Sequence, residues 1–247
     1  MRILITGAAG FVGRHAINEF LSHNYEIVAV DILKDTPATP VPLVPCNILD
    51  PSSISSVIQQ YNPDTCLHLA AISYVPDGNS NPANMFNVNV IGTINLMESF
   101  KKFSPKSRIL IVSTAHVYGT YNSKQILTED SPFAPSSLYA ISKACAEQTA
   151  FLYAKEVGMD VMSARPNNHT GPGQSISFSV PSFAYKIKQA AISGSSIKIG
   201  NLESIRDFAD VRDVVRAYRL IIEKGKKGLS YNISSNNFMR MKDIFDF

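Results

Sequence analysis

At 247 residues, with 45% hydrophobic and 17% charged side chains, the chain has the make-up of a globular α/β protein able to bury a full core. A net charge of +3 leaves no electrostatic footprint for nucleic acid, and no apolar run has the length of a bilayer span, so neither partner is expected. Three cysteines, Cys46, Cys66 and Cys145, stand in apolar surroundings without pairing or ligand spacing; this argues against a disulfide framework, and no metal is expected. Strand-like sequence begins directly at Met1, where a secretory leader would need an apolar core, so a cytoplasmic location is the expectation.

The predicted elements alternate along the first 165 residues. RILIT (2–6) reads as a strand and Phe11 to His23 as a helix, with Phe11, Ile17, Phe20 and Leu21 on its apolar face. EIVAVD (26–31) is a second strand. Thr36 to Pro45 carries four prolines and reads as a stiff surface excursion. A helix follows Asp50, with Pro51 at its first position. DTCLHLAA (64–71) is a buried strand, 83–102 a long helix, and RILIVST (108–114) a strand with no polar residue from Ile109 to Val112. Such runs mark strands covered on both faces. Ser137 to about Val157 is helical and MDVMSAR (159–165) closes the series. Beyond Pro166 the rhythm breaks at Asn167, Asn168, Gly171, Pro172 and Gly173. The pattern predicts an α/β fold of Rossmann type, a doubly wound parallel sheet. Residues 1–166 form its dinucleotide-binding core; 167–247 form mainly a small C-terminal lobe, interleaved with the last core elements.

The stretch GAAGFVG (7–13) sits between the first strand and the first helix. Gly7 permits the sharp turn, Gly10 lets backbone approach a pyrophosphate, and Gly13 lets the helix pack close to the sheet. The helix N-terminus, with Phe11 and Val12 in its first turn, offers N–H groups and partial positive charge to an anion. Asp31, ending the second strand, can accept hydrogen bonds from both ribose hydroxyls and would repel a 2′-phosphate, so NAD is preferred. Arg14, just past the glycines, is the feature that would suit NADP instead.

Tyr139 and Lys143 lie four apart in YAISK, hence on one helix face. A phenol ionises near pH 10 in water; a neighbouring ammonium and a positive nicotinamide ring both favour phenolate and should lower that value. Thr114, ending a strand, can bind the same substrate oxygen. Together the three make a proton relay for hydride transfer at a secondary alcohol or ketone.

GAAGFVG, HLAA (68–71), NVNVIGT (87–93), STAHVYG (113–119), YAISK and RDFADVRD (206–213) resemble, in order, the motifs of the extended short-chain dehydrogenase/reductases, over residues 1 to about 235. RPNNHTGPGQ (165–174) and GNLESIRDFADVRD (200–213) resemble the branch of that family acting on GDP-mannose derivatives, its 4-keto-6-deoxymannose reductases more than its 4,6-dehydratases. The resemblance implies a nucleotide-diphosphate sugar substrate bound in the C-terminal lobe and a homodimer built on helices 83–102 and 137–157. It implies Thr114, Tyr139 and Lys143 as the catalytic set. Gly7, Gly10, Gly13 and Asp31 would hold the cofactor, Asn47 and Ile48 would lie near its adenine, and Ala70 and Ala71 near the nicotinamide. Asn168 would sit by the sugar or its phosphates and Arg206 on the diphosphate, where a guanidinium can bond two oxygens at once. The alternative for Arg206 is a surface pair with Asp207 or Asp210.

Two departures matter. Dehydratases of the group carry an acid in the segment matching Thr114-Ala115-His116; here Ala115 and His116 stand there, so a competent dehydratase is not expected. His116 is a candidate acid or base, or else a packed histidine; His169 is a second candidate beside the substrate, and His68 reads as a core residue. A reductase, a C4-epimerase with retained NAD, and a non-catalytic NAD-binding member stay open, the reductase first. The family's chains continue past GLSYNIS (228–234) and a helix near Met241; a chain ending at Phe247 is expected either to lack that tail or to have a more open substrate site.

Overall fold

The computed structural model describes residues 1–32, 39–73, 79–120 and 126–246. Its centre is a parallel sheet of seven strands. Six come from the first two thirds of the chain: β1 (Arg2–Thr6), β2 (Glu26–Asp31), β3 (Leu43–Pro45), β4 (Thr65–His68), β5 (Arg108–Val112) and β6 (Asp160–Pro166). The seventh, β9 (Ser230–Ile233), returns from beyond a smaller sheet that contains β7 (Asn168–Thr170) and β8 (Ile205–Asp210). The order across the main sheet is β3-β2-β1-β4-β5-β6-β9. It reverses between β1 and β4, where Ile3 to Thr6 pair with Thr65 to His68. A crevice at the carboxyl ends of the strands opens at such a reversal, and there doubly wound sheets bind their ligands.

Both faces are covered, as the unbroken apolar strands require. On one face α1 (Phe11–Ser22) and α7 (Val211–Lys224) pack over Ile3, Ile5, Leu67, Leu110 and Met162. On the other, α2 (Pro51–Tyr61), α4 (Gly92–Phe103) and α5 (Leu138–Leu152) bury Leu4, Val28, Cys66, Ile109 and Val161. Successive strand residues thus serve opposite cores, the period-two rule of a pleated strand. The α2 helix starts as its sequence demands: Asp50 caps Ser52 N at 2.9 Å and Pro51 takes the first position.

The structure refines three sequence expectations. The proline-rich stretch is not wholly irregular: Leu43–Pro45 pairs in parallel with Ala29 to Asp31 as the edge strand β3. Proline is tolerated there because an edge strand leaves one row of N–H groups unused; residues 36–38 of that stretch lie outside the described residues. The long helix at 83–102 is α3 (Pro82–Phe86) and α4, joined by one wide turn, Asn87–Ile91. Likewise α5 runs on into a wide turn, Tyr153–Val157, ended by Gly158 at φ +82°.

Beyond β6, the small sheet is completed by β10 (Phe238–Arg240), in the order β10-β8-β7. Helices α6 (Ser179–Ser193) and α8 (Met241–Asp246) accompany it, while α7 and β9 return to the main sheet. Among the described residues no helix is long and apolar enough to cross a membrane.

Candidate active site

The glycine turn closes over the reversal of strand order. Gly7 adopts φ +69°, and a Cβ there would lie 2.8 Å from Ala70 N, so the turn rests directly on the chain leaving β4. Ala70 N donates to Thr6 Oγ1 at 3.2 Å, and both Ala70 and Ala71 stay partly exposed at the crevice. A Cβ on Gly13 would stand 2.4 Å from Gly7 O. Gly10 caps α1 with no side chain across its N–H groups, and its first turn, with Phe11 and Val12, holds no acid to compete with an anion.

Asp31 Oδ2 accepts Ala9 N at 3.0 Å, which fixes the carboxylate at the edge of this turn. Asp31 O also accepts Cys46 N at 2.8 Å, bringing Asn47 and Ile48 to the same end of the sheet. Ile48 is buried against Gly92, and its carbonyl accepts Asn95 Nδ2 at 2.9 Å. Arg14 bridges this turn to the C-terminal segment: its guanidinium donates to Ala9 O at 3.3 Å and Gly173 O at 3.0 Å. These residues fit a dinucleotide: an uncapped helix start, a turn too close for side chains, and a carboxylate beside it.

Across the crevice Thr114, 4% exposed, caps the short 3₁₀ turn Ala115–Tyr118, its Oγ1 accepting His116 N at 3.2 Å. Ser137 Oγ caps α5 by accepting Ala140 N at 3.2 Å, which starts the helix at Leu138, one residue before Tyr139. The Thr114 hydroxyl lies close enough to the Tyr139 phenol to favour its charged form. Lys143, 5% exposed, lies one turn further on.

Burial pushes Tyr139 up to about 12, and the neighbouring Thr114 hydroxyl only partly opposes this. Desolvation disfavours the charged form of each buried group. Burial draws the Lys143 ammonium down to about 8, and the Glu147 carboxylate raises it in part.

Several residues around this pair lie in or near the quoted motifs, and the structure shows what they hold. Asn89, in the wide turn before α4, donates Nδ2 to Ser142 Oγ at 2.9 Å and to Ile72 O at 3.2 Å. Ser142 Oγ in turn donates to Tyr139 O at 2.8 Å, so the wide turn is latched to the tyrosine's own helical turn. His68 is the core residue anticipated: its Nδ1 meets Thr6 Oγ1 at 2.7 Å and its Nε2 meets Thr93 Oγ1 at 3.1 Å. Burial, then the charge on Lys143, holds its pKa down to about 3, so the ring is neutral. Glu147, one turn past Lys143, was findable by spacing alone; its partner Arg165 carried no local signal.

The C-terminal lobe supplies a polar cleft of about 370 Å³ lined by Asn168, Ser204, Arg206, Phe208 and Met241 among others. Arg206 Nη1 donates to Ile205 O at 2.8 Å, and neither surface pair considered for it forms. Asp207 instead binds Asn167, Ser234 and Ser235, and Asp210 binds Arg212. Loss of hydration, then the Arg206 guanidinium, lowers the pKa of His116, and the neighbouring Asn168 side chain acts the other way. His169 lies on β7 rather than in a loop. Its ring stacks on Phe11 with centroids 6.4 Å apart, and its Nδ1 lies 3.0 Å from Asn167 O. Among the described residues no cluster of His, Cys, Asp and Glu is arranged to hold a metal.

A model of the NAD dependent epimerase/dehydratase family matches residues 3–234. The chain is 30% identical over 252 residues to the GDP-6-deoxy-D-mannose reductase of Pseudomonas aeruginosa, covering 99% of this chain and 78% of that protein. Its fold is similar to the UDP-glucose 4-epimerase of Thermus thermophilus in complex with NAD, with a TM-score of 0.90, 25% identity, and coverage of 100% and 81%. It is also similar to the Pseudomonas aeruginosa protein RMD complexed with NADPH, with a TM-score of 0.85, 30% identity, and coverage of 99% and 81%.

Proposed function

The chain belongs to the NAD-dependent epimerase/dehydratase family, and from that premise we propose that it reduces the C4 ketone of a GDP-linked 4-keto-6-deoxy sugar. Gly7, Gly10, Phe11, Val12 and Gly13 would hold the pyrophosphate of the dinucleotide, Asp31 its ribose, Asn47 and Ile48 its adenine, and Ala70 and Ala71 its nicotinamide. The bound nicotinamide supplies the hydride that C4 receives. Tyr139 donates the proton to the ketone oxygen, Thr114 hydrogen-bonds that oxygen, and Lys143 steadies the phenolate left behind. The observation that carries this reading is the grouping of a buried Thr114 beside Tyr139 with a buried Lys143 one helical turn further on. Burial keeps the tyrosine protonated at neutral pH, the state a proton donor needs.

Asn168 and Arg206 line the cleft in which the nucleotide sugar would lie, Arg206 pairing with diphosphate oxygens. His116 lies beside Asn168 and Arg206, and His169 follows Asn168 on β7. Ala115 and His116 in place of a carboxylate speak against a 4,6-dehydratase. Tyr139 and Lys143, both present, speak against a non-catalytic role. The Asp31 carboxylate, held at the glycine turn, favours NAD over NADP.

A C4-epimerase is the second reading, favoured by the NAD-suited Asp31 and by the likeness to the Thermus epimerase. Incubation with GDP-4-keto-6-deoxymannose and, separately, with UDP-galactose distinguishes the two. Stoichiometric consumption of NADH or NADPH with the first compound supports the reductase. Interconversion of UDP-galactose and UDP-glucose without net cofactor consumption overturns it. The outward faces of α3 to α5 leave Ile91, Leu138, Ile141 and Leu152 exposed at 45%, 38%, 37% and 57%, and these apolar residues support a homodimer through that face.

A further inference from the structure

Behind the relay lies a buried charge pair that nothing in the reduction itself requires. Tyr139, Lys143 and Glu147 follow one another at four-residue steps and so share one face of α5. Glu147 is fully buried. Its Oε1 accepts Arg165 Nη2 at 2.6 Å, Arg165 Nε at 2.9 Å and Ser230 Oγ at 2.9 Å. Its Oε2 receives only the longer bond from Arg165 Nε, at 3.3 Å. Arg165 Nη1 continues to Tyr118 OH at 2.7 Å and Glu129 O at 2.9 Å, and Tyr118 OH donates to Asn232 Oδ1 at 2.7 Å.

A buried carboxylate–guanidinium pair is a poor way to gain stability, because its desolvation offsets much of its attraction; well-packed apolar side chains do as well or better. The charges around Lys143 suggest what this pair does instead. His68 is neutral, Tyr139 is protonated, and Arg165 has the same sign as the lysine. Glu147 stands one turn from Lys143 on the same buried face of the helix, and its charge favours the ammonium.

We infer that Glu147 is a positioning residue for the relay: its carboxylate keeps the Lys143 ammonium charged inside the protein, and Arg165 and Ser230 hold that carboxylate in place. This role rests on the relay proposed above, but it concerns the charge state of one lysine and not the identity of the sugar. An ammonium without a counter-charge would lose its proton as the surroundings dry, and a neutral amine stabilises a phenolate poorly. Glu147 also makes the relay depend on β6 and β9, since Arg165 belongs to the first and Ser230 to the second.

The test is a ¹³C-lysine NMR titration of the chain without substrate, following the Lys143 Cε resonance, assigned by its loss in Lys143→Arg. Glu147→Gln/Arg165→Met removes both charges together and strands neither. Its Lys143 midpoint should fall by about one pH unit or more relative to the parent. Arg165→Lys keeps the ion pair but loses the fork of hydrogen bonds, and its midpoint should stay at the parental value. Glu147→Asp, which keeps the charge on a shorter stem, should give a smaller fall and serves if the double variant does not fold. An unchanged midpoint in the Glu147 variants overturns the inference, as does an equal fall in Arg165→Lys, which would mean packing and not charge. Because no substrate enters the titration, a wrong sugar would leave this result standing.

Discussion

Gly10 and Gly13 do different work in the same turn, and alanine at each should separate the two. Alanine at Gly13, inside α1, would ordinarily gain about 1 kcal/mol of helix stability. Here its Cβ would fall 2.4 Å from Gly7 O, 2.6 Å from Ala8 O and 2.7 Å from Ala8 C, all backbone atoms that cannot swing aside. Overpacking of this kind costs about 1–3 kcal/mol, enough to cancel or exceed the propensity gain. For a chain of this size 1 kcal/mol shifts the Tm by about 2–4 °C, so Gly13→Ala should melt up to several degrees low and bind NAD poorly. At Gly10 the added Cβ meets only Gly7 O, at 3.1 Å, and φ is −67°, which alanine adopts freely. Gly10→Ala should therefore keep its Tm within about 2 °C yet lose about tenfold or more in NAD affinity, since the methyl group enters the pyrophosphate seat. Thermal melts of both variants, with NAD titrated by fluorescence quenching or calorimetry, decide the matter. A Gly10→Ala protein that binds NAD as tightly as the parent would refute the placement of the phosphates on this turn.

Tyr139→Phe should lower turnover about 10²–10⁴-fold, the span of a lost proton donor, while NAD affinity measured by calorimetry stays within a few-fold of the parent. Arg206→Met should raise KM for the nucleotide sugar about tenfold or more, with cofactor affinity unchanged, in steady-state assays varying each separately. Lys143 carries a pH prediction whose sign follows from its depressed pKa, about 8 against 10.5. Between those values the unfolded chain binds more protons than the folded one, so this group's contribution to stability rises with pH from about 8 to 10.5 and is least favourable below 8. Denaturant unfolding should accordingly find Lys143→Met more stable than the parent at pH 7, with the gap closing by pH 10; a constant gap would contradict the burial argument. Ile141→Glu should shift the mass in solution from dimer to monomer by light scattering, without loss of NAD binding.

Much of the fold was legible because its strands are covered on both faces. Ile109 to Val112 could be nothing but buried, and Gly7, Gly10 and Gly13 needed only the strand before them and the helix after. The relay residues were legible for a local reason too, since a four-residue step on a helix puts Tyr139 and Lys143 side by side. What escaped were features made by distant partners. The strand Leu43–Pro45 was hidden by its prolines, and only pairing with β2 makes it a strand. The wide turn at Asn87–Ile91 has no composition of its own; it is stabilised by Asn89 reaching Ser142, 53 residues away. The burial of Tyr139 is another such feature: spacing shows the lysine one turn away and not the desolvation that raises the phenol.

The proposed relay of Thr114, Tyr139 and Lys143 cannot by itself choose between reductase and epimerase, because both need a phenol, a hydroxyl and an ammonium beside a nicotinamide. The choice has to come from how the sugar is presented to them, and the structure shows how presentation is made rigid. Asp207, 4% exposed, follows Arg206 on β8 and accepts hydrogen bonds from Asn167 Nδ2 at 2.9 Å and from the backbone and side chain of Ser235, together with Ser234 Oγ. One carboxylate thus ties β8 to the chain leaving β6 and to the chain leaving β9, both strands of the main sheet. Arg206 and Asn168, on neighbouring strands of the small sheet, are therefore held at a set distance from Thr114 and Tyr139 and do not ride on a loose lobe. A substrate anchored at its diphosphate would bring one carbon of its sugar to the relay, and the length between the two anchors selects which. On that reasoning Asp207→Asn, which weakens the tie without touching the cleft or the relay, should loosen the discrimination between sugar nucleotides more than it lowers turnover of the preferred one.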